Sequence, residues 1–140
     1  MDDEAHEEVD AARSGAAQDG AADDSGRRGG PVGGRRVVNV HTAAFQSYDM
    51  EGPVQPDITW LPVSWDGAAG QGSYLMRLEP GAVTIEHEHA GFEEFLVLEG
   101  SLTDSDGTVF RPGDFVSYRG GTHNSWTEDG CLIAVFEWKP

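Results

Sequence analysis

From Val37 onward the chain never sustains a 3.6-residue apolar period for more than two helical turns. Short runs of β-branched, aromatic and aliphatic residues are instead cut off by Gly, Pro, Asp and Ser, so a helical core is ruled out. The strand-like runs are VVNVHTAAF at 37–45, ITWLPVSW at 58–65, GSYLMRLE at 72–79, VTIEHEH at 83–89 and EEFLVLE at 93–99. SLTD and TVF flank the tight turn Asp104 to Gly107 and read as a hairpin. Pro112 and Gly113 make a further turn, and FVSY, HNSWT and CLIAVFEW complete the chain. Strands recurring every eight to twelve residues between Gly-rich turns belong to an antiparallel sandwich or barrel. The expected fold class is all-β.

Residues 1–36 have a different composition. They contain no aromatic residue and, after Met1, only two Val as larger aliphatics, so they cannot bury enough apolar surface to repay their ordering entropy. A disordered acidic, Gly- and Ala-rich tail is expected there, with a short helix over Asp2–Arg13 as the structured alternative. Residues 37–140 then form one domain. The tail lacks the apolar core of a secretory signal, and no stretch approaches the roughly 18 apolar residues that span a bilayer. A cytoplasmic protein is expected. Residues 37–140 carry sixteen acidic side chains against Arg77, Arg111, Arg119 and Lys139. Such a surface repels phosphate backbones and anionic lipid, so neither nucleic acid nor membrane is an expected partner. The expected partner is a small-molecule ligand or substrate, with a homodimer as the expected assembly. Cys131 is the only cysteine, which excludes an intrachain disulfide, and its apolar run marks it as a small buried hydrophobe.

Strand alternation sets Val83, Ile85, His87 and His89 on one face of the fourth run and Thr84, Glu86 and Glu88 on the other. Histidines two apart on an inward face have backbones about 7 Å apart, close enough for both rings to meet one ion. Half-buried histidines that only hydrogen-bond are the plainer alternative.

The spacing Gly81, five residues, His87-x-His89, three residues, Glu93, six residues, Gly100 resembles the first motif of the cupin superfamily at every fixed position. A looser second motif starts at Gly113 and keeps Gly120 and His123; Tyr118 stands where Pro is usual and Thr127 replaces the closing Asn. The resemblance implies a double-stranded β-helix (jelly-roll) barrel with His87, His89, Glu93 and His123 as metal ligands. Glu94 competes by spacing, and Glu93 is preferred because it keeps six residues before Gly100. Over Ile58–Trp138 the chain is similar to the small cupins related to the C-terminal domain of ChrR-type anti-sigma factors. Those factors bind sigma through a separate helical domain with His and Cys zinc ligands. This chain has only a polar, cysteine-free tail in that place, so the resemblance does not carry the regulatory function across.

Three imidazoles and one carboxylate leave a divalent ion with a net charge near +1 and suit Fe(II), Mn(II), Ni(II) or Zn(II). Open coordination positions permit Lewis-acid or oxygenase chemistry, whereas four ligands on tetrahedral zinc close the site. Two functions follow from the resemblance. One is a stand-alone metal-dependent enzyme, dioxygenase-like or hydrolytic, acting on a small oxygenated organic compound. The other is a non-catalytic zinc-binding sensor or regulatory module. Tyr118 is the candidate catalytic residue, a proton donor at the turn into the site. Trp126 lines the pocket or belongs to the core. Arg77 binds a substrate carboxylate or pairs with a surface acid, and His41 stands outside both motifs.

Overall fold

A computed structural model describes residues 32–140, and Arg36–Pro140 form one unit. The expected tail lies outside the described residues apart from its last few, which are exposed. The strands are β1 (Gln46–Ser47), β2 (Ile58–Pro62), β3 (Gly72–Leu78), β4 (His87–Glu88), β5 (Phe92–Gly100), β6 (Leu102–Asp104), β7 (Val109–Phe110), β8 (Phe115–Arg119), β9 (Thr122–His123), β10 (Ser125–Trp126) and β11 (Cys131–Trp138). They pair antiparallel in three sheets, ordered β1-β2-β3-β11-β5-β8, β10-β6-β7 and β4-β9. The fold is all-β, as the turn spacing indicates. Among the described residues no helix is long and apolar enough to cross a membrane.

Period-two alternation builds the core. Tyr74, Met76 and Leu78 of β3, Phe95 and Val97 of β5, and Ile133 and Val135 of β11 all turn inward and are buried, together with Ile58, Trp60 and Leu102. Trp60 and Trp65 each meet Tyr74 edge-to-face, with ring centroids 5.4 and 5.5 Å apart. Gly100 closes the first motif for a steric reason. Its φ is +73°, and a Cβ there would stand 2.0 Å from the Gly130 carbonyl oxygen, so only glycine fits.

Two expected strands are corrected. Residues 37–45 form no strand: Asn39 accepts from the Ala43 amide at 2.9 Å, and its side chain accepts from the His41 amide at 2.9 Å. Asparagine's capacity to bond its own downstream backbone turns the chain here in spite of the flanking valines. The run 83–89 is extended, but only His87–Glu88 form a strand, and its alternation breaks. Val83 pairs with Trp126 and His87 with His123, so one side advances four residues while the other advances three. This bulge-like step reverses the facing. Thr84 turns inward, where its hydroxyl accepts from the Ser125 amide at 2.8 Å, and Val83 is 47% exposed. Val83 therefore does not share the face of His87.

Candidate metal centre

The β4–β9 pair sets His87 directly across from His123. His89 follows one residue beyond β4, and the start of β5 brings in Glu93. One ligand atom from each of these four lies within 4.8 Å of the other three. The three imidazole centroids form a nearly equilateral triangle with sides of 4.7, 4.8 and 4.8 Å. Glu93 joins them, with Oε2 at 3.1 Å from His89 Nδ1 and 3.9 Å from His87 Nε2. Glu94 points the other way and accepts from the Ser117 hydroxyl at 2.9 Å.

Neighbouring acceptors orient the rings. The carbonyl of Ile85 can only accept and lies 2.9 Å from His87 Nδ1, so that nitrogen carries the proton and Nε2 offers a lone pair. His123 Nδ1 donates in the same way to Asp104 Oδ1 at 2.8 Å. The other oxygen of Asp104 accepts from the Tyr118 hydroxyl at 2.5 Å. Burial works against the Asp104 carboxylate, but the bonds from Tyr118 and His123 outweigh it and hold its pKa below the ordinary value. Burial, then the bond to Asp104, pushes the Tyr118 hydroxyl far upward. Burial likewise opposes a charged His89, and the adjacent Glu93 overrides it, raising the pKa of that ring.

The Nε2 atoms of His89 and His123 are buried and have no hydrogen-bond partner among the described residues. A buried unpaired imidazole nitrogen costs about 1–3 kcal/mol, and a bound cation satisfies two of them at once. With the Glu93 carboxylate alongside, this donor set fits one divalent transition ion.

A cavity of about 40 Å³ opens from the cluster into the core, floored by Met76, Leu78, Phe95, Leu102, Ile133 and Val135. Two acids that sequence reasoning missed stand beside the histidine cluster, Glu51 at this cavity and at an outer cleft, Glu137 at the outer cleft alone. Glu51 Oε2 is 3.3 Å from His87 Nδ1. Glu137 lies across the ladder from Glu93 and accepts from the Tyr74 hydroxyl at 2.6 Å. Burial raises the pKa of both carboxyls, which the nearby His87 counters for Glu51 and the bond from Tyr74 counters for Glu137. Glu137 was legible, because Ile133, Val135 and Glu137 share a face of β11. Glu51 belongs to an irregular segment with no such signal, and Asp104 reads in the sequence simply as a turn residue.

The remaining candidates fall elsewhere. Tyr118 stacks on His89 at 5.4 Å and lies 4.4 Å from the His123 ring. Arg77 is on the outer face of β3, its guanidinium 5.0 Å from the Phe45 ring centroid, so it reaches neither the cavity nor a substrate carboxylate within it. Trp126 is 41% exposed and belongs neither to the core nor to the pocket. His41 is an exposed histidine 3.8 Å from Glu99. Cys131 is buried, which pushes its thiol up to about 12.

An antiparallel barrel with three histidines and a glutamate converging beside an interior cavity defines a cupin. More narrowly, residues 34–139 match the ChrR cupin-like domain, and the chain belongs to that family. No curated protein matches it at a significant level. Among solved structures it resembles a chain of the Rhodobacter sphaeroides complex of SigE with the anti-sigma ChrR, at 18% identity and a TM-score of 0.57. That match covers 71% of this chain and 52% of the other, about half its length. Acetylacetone dioxygenase from Acinetobacter johnsonii is similar over 78% of each chain, at 14% identity and a TM-score of 0.62. The polyketide cyclase RemF from Streptomyces resistomycificus is similar at 24% identity and a TM-score of 0.56, over 71% of this chain and 78% of its own. At these identities the likenesses show the cupin fold.

Proposed function

We propose that the chain binds one divalent transition metal on His87, His89, Glu93 and His123 and is an enzyme acting on a small organic substrate, with dioxygenase-like oxidation as the favoured reaction type. The observation that carries this reading is the cavity beside the cluster. Its wall holds Glu51 and the tyrosines Tyr48 and Tyr74, polar groups that a four-ligand structural ion does not need. When bound, the ion supplies Lewis acidity and, as Fe(II) or Mn(II), a redox centre.

The chain's own residues do the rest. Ile85 and Asp104 fix the tautomers of His87 and His123, so both present Nε2. The apolar floor excludes bulk water, and its small volume admits only a compact part of a substrate. Tyr118, expected from the sequence to donate a proton, works in this reading through Asp104, because its hydroxyl already donates its hydrogen bond to that carboxylate. It is a positioning residue.

Membership of the ChrR cupin-like family favours a second reading, a zinc-binding sensor or regulatory module. Nitric oxide separates the two. The Fe(II)-loaded protein is expected to bind nitric oxide and show an altered electron-spin signal, because an oxygenase site keeps coordination positions open. A closed four-ligand site resists it. No nitric oxide signal, together with no oxygen uptake across small diketones, phenolic ketones and thiols, would establish the sensor instead.

A further inference from the structure

Three spaces adjoin the histidine triangle, and acidic residues predominate in their walls. Glu51 and Glu93 line the inner cavity. Glu51, Glu88, Glu93 and Glu137 line an outer cleft of about 150 Å³, whose one basic residue is Lys139. Asp104 and Asp106 line a third space of about 250 Å³ on the side of Tyr118, with no Lys or Arg among the described residues that line it. None of the other three basic residues beyond residue 36 lines these spaces, although Arg119 covers Phe92, which lines the outer cleft. Arg77 covers Phe45, Arg119 lies over Phe92 at 5.6 Å, and Arg111 occupies the turn before β8.

Opposite these carboxylates are the His89 and His123 side chains, only 6% and 9% exposed, with their Nε2 atoms unpartnered. The site is therefore built to take an ion, and its surroundings set what else it takes. Glu51, Glu88, Glu93 and Glu137 stand around the site against the single Lys139, so an entering anion finds little positive charge there beyond that of the ion itself. Glu51 is placed to act on any ligand, because it borders both the inner cavity and the outer cleft.

From this distribution of charge we infer that the metal site selects against anions, and that its substrate is uncharged or cationic (an alcohol, ketone or amine rather than a carboxylate or phosphate), with Glu51 and Glu137 as the specificity-determining residues. The inference rests on the metal-binding reading. Among the described residues, a carboxylate or phosphate entering this site meets Lys139 as the one basic group in the lining and several acidic residues that repel it. At an effective dielectric of about 20, removing one such charge about 12 Å away changes the affinity of an anion by about tenfold, and a nearer charge changes it by more.

The test uses Co(II)-loaded protein at fixed ionic strength and pH 8, with azide as the anionic probe and imidazole as the neutral one, both read from the visible Co(II) absorption. Imidazole is expected to bind the wild type more tightly than azide. Glu51→Gln and Glu137→Gln are each expected to tighten azide by at least about tenfold and to change imidazole less than about twofold. Glu86→Gln, an exposed change outside the three spaces, is expected to alter neither. Azide binding the wild type as tightly as it binds the Glu51→Gln/Glu137→Gln double variant overturns the inference. Equal tightening by Glu86→Gln overturns it too, by assigning the effect to the overall charge of the protein. If Co(II) does not bind at all, it is the metal-binding reading that fails.

Discussion

His123 Nδ1 lies 2.8 Å from Asp104 Oδ1, and the two residues reach each other from different sheets, His123 from β9 and Asp104 from the end of β6. The carboxylate fixes the ring so that Nε2 faces the other histidines. Asp104→Ala is expected to weaken Co(II) or Zn(II) binding about 10- to 100-fold, as loss of such an orienting partner does. Competition with a chelator of known affinity measures it. Unchanged affinity would show that packing alone orients His123.

The same carboxylate sets a pH dependence in the metal-free protein. Asp104 is held below its ordinary pKa in the folded state, so the stability it contributes is fully present above the unfolded value of about 3.9. It is lost as the pH falls through the lowered folded value. Thermal melts between pH 7 and pH 2 are expected to show a shallower acid limb in Asp104→Asn than in the wild type. Parallel acid limbs would remove Asp104 as a cause.

His87→Ala, His89→Ala and His123→Ala are each expected to lower metal content sharply from about one ion per chain, measured by elemental analysis. Glu86→Ala and Glu88→Ala replace exposed side chains and are expected to leave it unchanged. Between the adjacent acids, Glu93→Gln is expected to reduce metal content and Glu94→Gln to spare it, since Glu94 bonds Ser117 on the far face. Sensitivity at Glu94 instead of Glu93 would contradict the strand facing described above.

Phe95 is 2% exposed, meets Phe110 and Tyr118, and floors the cavity. Phe95→Ala is expected to destabilise the protein by about 3–5 kcal/mol, read from denaturant unfolding. A loss below about 1 kcal/mol would mean that the cavity floor collapses onto the vacated space.

By itself the sequence determined what depends on near neighbours. Alternation grouped Tyr74, Met76 and Leu78 of β3, Phe95 and Val97 of β5, and Ile133 and Val135 of β11 on common faces, and the spacing from Gly81 to Gly100 marked His87, His89 and Glu93 before any pairing was known. Gly and Pro turns marked where most strands end, because turn conformation is a property of a few adjacent residues. Local patterns failed where a distant partner decides. The facing of Val83 and Thr84 reverses because one step is added between the Trp126 and His123 pairings. Asp104, a turn residue in sequence, becomes the partner of His123 nineteen positions later, and Glu51 meets His87 from an irregular segment. Arg77 lost its suggested place at the site because the parity of β3 turns it outward, which a motif search does not register. Tertiary structure alone settled these points: period-two alternation fixes facing within a strand, whereas register between strands fixes which side chains meet.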